Sequence, residues 1–155
     1  MKHKGFDLEE GLDIQINMIH DILLLINEYK KKHPKYEKLL NDNKANTSRM
    51  LIRKTSTMIC DYLNTNLKSI GVRNNPKAKI YYEHLIPVNQ IAENIENDYS
   101  KENIKNELLK SKIAHLTVEE HNIFEGKNAT KKGFYGIKNR TPEQIKLLIN
   151  DFKLM

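Results

Sequence analysis

The chain has little of what would make its chemistry obvious. Among its 155 residues Cys60 is the only cysteine, which excludes an internal disulfide and a thiolate zinc cluster. Cys60 also lies within an apolar helical pattern, so it reads as core filling and not as a nucleophile. Long hydrophobic runs are missing too. The longest, Ile22 to Ile26, is far shorter than a membrane span. The first residues, Met1-Lys2-His3-Lys4, lead into acidic residues and not into an apolar segment. No signal peptide is therefore expected, and the cytoplasm is the expected location. No internal repeat is visible, and low complexity is confined to Lys30-Lys31-Lys32.

What is present is an ordinary globular composition, 39% hydrophobic and 30% charged. The net charge of +6 and a pI of about 9.2 permit a polyanionic partner without requiring one.

Hydrophobic periodicity makes the first part helical. Asp7 with Glu10 forms a capping-box pattern. Leu8, Leu12, Ile16, Ile19, Leu23 and Ile26 then recur three and four apart, as one buried helix face requires. His33-Pro34 should end this helix, because the residue before proline disfavours the α region. Asn41 to Thr47 reads as a polar connection. A second helix is expected over about Ser48 to Ile70, with Gly71 as its C-terminal cap.

The pattern changes after the turn at Asn74-Asn75-Pro76. Lys79 to Val88 is aromatic and β-branched, as in a strand. Asn89 to Lys110 returns to helical spacing, with a break near Tyr99-Ser100. Lys112 to Leu116 reads as a second strand, and Thr117 caps a helix that starts at Val118. Thr141-Pro142-Glu143-Gln144 opens the last helix, with a hydroxyl at the N-cap, proline at N1 and glutamine at N3. The expected fold is mainly α with a small β element. A helical N-terminal region (1–72) precedes a module (73–155) that carries a basic loop and the C-terminal helix, the whole forming one compact domain.

Two stretches carry the chemistry. Tyr82-Glu83-His84-Leu85-Ile86-Pro87-Val88 puts an acid beside a histidine at the end of a strand. Leu116-Thr117-Val118-Glu119-Glu120-His121-Asn122 supplies further metal-type ligands. Adjacent strand residues point to opposite faces, so a shared pocket for Glu83 and His84 needs a bend or bulge at the strand end. Histidine has the pKa of a base that activates water near neutral pH. Carboxylate, imidazole and amide oxygen suit Mg, Mn, Ni or Zn.

Glu83-His84-Leu85-Ile86-Pro87 resembles the signature of the HNH (ββα-metal) nucleases, an acid and a histidine followed by two apolar residues and proline. Leu116 to Asn122, followed by Lys127, resembles the end of that motif. The likeness spans about Ile80 to Lys127. It implies an endonuclease hydrolysing DNA, of the kind used in restriction or by phage. His84 would be the general base. Glu83 with His121 or Asn122 would hold one divalent metal ion, and the likeness does not choose between those two. Double-stranded DNA is the implied partner, and the N-terminal helices are a possible face for a homodimer.

Lys127, Lys131, Lys132, Lys138 and Arg140 lie in a stretch without acids, and are the expected phosphate contacts. The family's middle asparagine has no counterpart in Ser111-Lys112-Ile113-Ala114, so Asn106 or His115 would have to substitute, and the connection between the two halves is long and holds a helix. Those departures motivate the alternative, a nuclease-like protein that no longer cuts but binds nucleic acid or inhibits another protein.

Overall fold

The computed structural model describes residues 5–124 and 139–155. Lys127, Lys131, Lys132 and Lys138 lie outside them. In chain order the elements are α1 (Leu8–Lys32), a 3-10 turn (Pro34–Tyr36), α2 (Glu37–Leu63), β1 (Leu67–Lys68), α3 (Ile70–Asn74), β2 (Tyr81–His84), α4 (Val88–Asn97), α5 (Lys101–Leu109), β3 (Ile113–Leu116), α6 (Val118–Phe124) and α7 (Pro142–Asp151). The fold is mainly α with one small sheet, as expected. Among the described residues no helix is long and apolar enough to cross a membrane.

The chain forms two compact units. One comprises residues 1–63 and 91–111, the other residues 64–90 and 112–155. This differs from the division at 72/73 drawn from the sequence, because residues 91–111 group with the N-terminal helices.

In the first unit α1 behaves as its periodicity requires. Asp7 caps it by accepting from the Glu10 amide at 3.1 Å, and Leu12, Ile16, Ile19, Leu23 and Ile26 are buried. It ends at Lys32, ahead of Pro34. The second helix departs from expectation at both ends. It begins at Glu37 and continues through 41–47, a stretch that is polar but contains no proline or glycine to break it. It also stops at Leu63, where Asn64 turns the chain with φ 55, well before Gly71. The buried side of α2 carries small polar residues, and each hydroxyl bonds back one turn. Ser48 donates to the Lys44 carbonyl at 2.6 Å, Thr55 to Leu51 at 2.7 Å, and Ser56 to Ile52 at 2.9 Å. Their polarity is thereby satisfied away from water. Cys60 is fully buried in the same unit. The break at Tyr99-Ser100 is present, with Ser100 capping α5.

The second unit holds the sheet, in the order β1-β3-β2. β2 and β3 are antiparallel, with Tyr81 opposite Leu116, Tyr82 opposite His115, Glu83 opposite Ala114 and His84 opposite Ile113. β1 is parallel to β3, with Leu67 beside Ala114 and Lys68 beside His115. One face carries the core. Leu85, Ala114 and Leu116 pack with Leu148, Phe152 and Leu154, and Leu67, Ile123, Ile145 and Ile149 join them. A sheet this small is not stable without such a cover.

Glu120 fastens the helix that follows β3. Its carboxylate accepts from the Thr117 amide at 2.9 Å, while the Thr117 hydroxyl accepts from the Glu120 amide at 3.3 Å. This is a reciprocal capping box. The same carboxylate accepts from the Ser69 hydroxyl and from the Gly71 amide at 3.4 Å. One side chain therefore ties the starts of α6 and α3 together. Gly71 lies inside α3 and caps nothing. It is small because a Cβ there would stand 2.8 Å from Glu120 Oε1 and 2.9 Å from Thr117 Cγ2.

Gly71→Ala should thus destabilise the protein by about 1–3 kcal/mol, the usual cost of overpacking, measured by urea unfolding. Unchanged stability would mean that Glu120 moves aside freely and does not hold the two helix starts.

Candidate functional site

β2 is paired regularly as far as His84, so the alternation of side chains holds to the end of the strand. Tyr81 and Glu83 share the face on which Ala114 and Leu116 meet the core. Tyr82 and His84 share the opposite face. The bend or bulge that would turn Glu83 and His84 to one side is absent from this ladder. β2 is, however, an outer strand of the sheet. Its last two side chains therefore flank an edge from two sides.

α6 lies on the face of Glu83. Its Ile123 packs against the core, and its His121 ring stacks on Tyr81 with centroids 4.3 Å apart and planes 4° from parallel. Glu83 and His121 thus belong to one face of the β2–β3 pair, and Asn122 follows half-buried on the same helix. Lys79 Nζ lies 5.6 Å from the Tyr81 ring centroid, within reach of a cation–π attraction.

Arg140 is the largest departure from expectation. The sequence placed it in a solvated loop that holds phosphates. The structure buries it instead, with its side chain 4% exposed. Its Nη1 donates to the His84 carbonyl at 3.0 Å and to the Leu85 carbonyl at 2.9 Å. Its Nη2 lies 3.6 Å from Glu83 Oε1. Burial pushes the guanidinium below its ordinary pKa, and the Glu83 charge and hydrogen bond act against that shift. A planar fork of donors explains why arginine and not lysine can serve two carbonyls and a carboxylate together.

The backbone at Arg140 is held as well. Its amide donates to Gln90 Oε1 at 2.8 Å, and Gln90 Nε2 donates to its carbonyl at 3.0 Å. Directly after it Thr141 opens α7 with the expected capping box. Neither Gln90 nor the inward turn of Arg140 had a local signal. A glutamine in a first helical turn and an arginine in a basic loop are both ordinary surface residues until the chain brings them together.

The donors fit a divalent ion in kind, since Glu83 offers a carboxylate and His121 an imidazole on the same face, and Asn122 an amide on the same helix. A cation there would share Glu83 with Arg140, and like charges at that distance oppose each other. Among the described residues no three His, Cys, Asp or Glu side chains gather where they could hold a metal ion. The candidate set contains two such groups and an amide. Comparison with protein-family models, with curated proteins and with solved structures finds no match to the chain.

Replacing Arg140 by Met should cost about 2–5 kcal/mol in urea unfolding, because two carbonyls lose their donor and Glu83 loses its counter-charge. Adding Glu83→Gln should recover part of the loss. A cost below about 0.5 kcal/mol, typical of an uninvolved surface site, would mean that the guanidinium does not hold the strand end.

Proposed function

We propose that the protein is a metal-dependent endonuclease of the HNH type that hydrolyses DNA. The observation that carries this reading is the β2–β3–α6 succession, which puts Glu83 and His121 on one face with His84 at the end of the same outer strand. A phosphodiester laid across that edge would meet His84 from one side and Glu83 from the other. Glu83, with His121 or Asn122, would hold one ion of Mg, Mn, Ni or Zn. When bound, such an ion neutralises the scissile phosphate and stabilises the leaving oxygen.

The chain's own residues then have separate tasks. An imidazole nitrogen of His84 takes a proton from water, the water oxygen bonds to phosphorus, and the bond from phosphorus to the leaving oxygen breaks. Arg140 fixes the carbonyls of His84 and Leu85 and so fixes where the base stands. Lys127, Lys131, Lys132 and Lys138 supply phosphate contacts that need no particular sequence. Arg140 is not assigned this role, since its side chain is buried and its Nη1 serves two backbone carbonyls. Homodimerisation through the N-terminal helices belongs to the same proposal, and α1 leaves Ile14, Met18 and Leu25 exposed for it.

A second reading, a nuclease-like protein that binds without cutting, is favoured by two observations. A guanidinium stands at the carboxylate that would take the metal, and the regular ladder sends Glu83 and His84 to opposite faces.

Supercoiled plasmid incubated with wild type and His84→Ala separates the readings. The nuclease reading expects nicking with Mg, Mn, Ni or Zn, none with EDTA, and a loss of about 10²- to 10⁴-fold in the variant, as for a missing general base. Absence of cleavage by folded wild type with any of these metals would overturn it in favour of the binder. Equal cleavage by folded His84→Ala would remove His84 from the mechanism.

A further inference from the structure

The sheet face opposite the Leu85–Leu116 cluster buries Ile113 at one end, and beyond it carries a row of three side chains that the proposed cleavage does not use. The registers set Lys68 beside His115, and His115 opposite Tyr82. Directly paired residues point to the same face, so one side chain from each strand lines up across the sheet. The row spans about 10 Å, from two strand spacings. Tyr82 is 65% exposed, although an aromatic residue of a strand usually goes to the covered side. Its neighbour does not hide it. The His115 ring meets it at 79° with centroids 4.8 Å apart, an edge contact that steadies the Tyr82 ring while most of its surface stays open. Lys68 is exposed at the other end of the row.

An open aromatic face beside a lysine is what an unpaired nucleobase and its phosphate need. The base stacks on the ring, whatever its identity, and the cation meets the backbone. A base within a duplex has no free face to offer. The row itself contains no acid, and the chain's net charge of +6 complements a polyanion.

We propose that Tyr82, His115 and Lys68 form a stacking platform for a single strand of nucleic acid, with a base on Tyr82, a phosphate on Lys68 and His115 as the residue that positions the Tyr82 ring. It rests on the nucleic-acid reading above but not on cleavage. The platform lies on the face away from Glu83. A strand opened from its complement could therefore be held there while the edge of β2 meets a phosphodiester.

The test is fluorescence anisotropy with a short labelled oligothymidylate, at low salt and with EDTA present, so that a failure of the nuclease reading leaves the assay intact. Wild type is expected to bind. Tyr82→Ala should weaken binding by about 5- to 150-fold, the equivalent of one stacked base, while Tyr82→Phe binds like wild type. Lys68→Gln should reduce the slope of log K against log salt by about 0.7, the value for one phosphate on a single strand. Circular dichroism of each variant checks that it is folded, as expected for substitutions at exposed positions. The proposal is overturned if wild type does not bind, if Tyr82→Ala binds like wild type, or if a duplex of the same length competes as well as the single strand.

Discussion

A buried arginine must find partners for its donors, and Arg140 finds them at the end of β2. Its guanidinium takes the carbonyls of His84 and Leu85 and stands against Glu83. Those carbonyls lie at the last residue of an outer strand and one residue beyond it, just before Pro87, where the ladder with β3 runs out. Without a donor there, the chain between the strand and α4 would leave polar groups buried and unsatisfied. The same residue is bracketed by Gln90 and precedes the cap of α7. One side chain thus connects the end of a strand, the first turn of α4 and the start of the last helix. The candidate site depends on it, since the backbone that carries His84 is the backbone it holds.

The sheet needs such fastenings because it is small. β1 has two residues and the other strands four each. Apolar cover on one face comes from α6 and α7 through Ile123, Ile145, Leu148 and Ile149. Glu120 adds a polar fastening by joining two helix starts, where a carboxylate also complements the helix dipoles. The acids of α6 therefore do structural work at Glu120, while His121, one residue on, meets Tyr81. The two faces of the sheet end up with different chemistry. The first combines Glu83, Arg140 and the Tyr81–His121 stack, and the second buries Ile113 beside His84 while it presents Tyr82 and Lys68 with half-buried His115 between them.

Much of the fold was legible because its signals are local. The stripe from Leu12 to Ile26, the break at Ser100, the caps at Asp7, Thr117 and Thr141, and both strands of the β2–β3 pair all follow from spacing or from a single hydrogen-bonding residue. The misses share another cause. α2 runs through 41–47 because nothing there breaks a helix, even though its composition resembles a loop. Gly71 looked like a cap because glycine often is one, whereas its smallness answers to Glu120, distant in sequence. β1 is too short to alternate and exists only through its pairing with β3 and with the backbone of Met155. The motif at Glu83-His84 could be read, but the faces its residues take could not, since they depend on whether the ladder is regular. Arg140 had the composition of a phosphate contact, and only tertiary contacts turn it inward.

The two units are interleaved along the chain, each built from two separate stretches. Synthesis runs from the N-terminus, and domains ordinarily close as they emerge. Here the first unit cannot close when α2 leaves the ribosome, because residues 91–111 are still to come. By the time they arrive, β1 and β2 are already made and have no β3 to pair with. The edge that carries Glu83 and His84 is consequently among the last parts to be assembled, completed only when Arg140 and α7 follow. A nascent chain stalled between residues 111 and 139 would hold the first unit's full complement of residues but lack the arginine and the helix that complete the sheet.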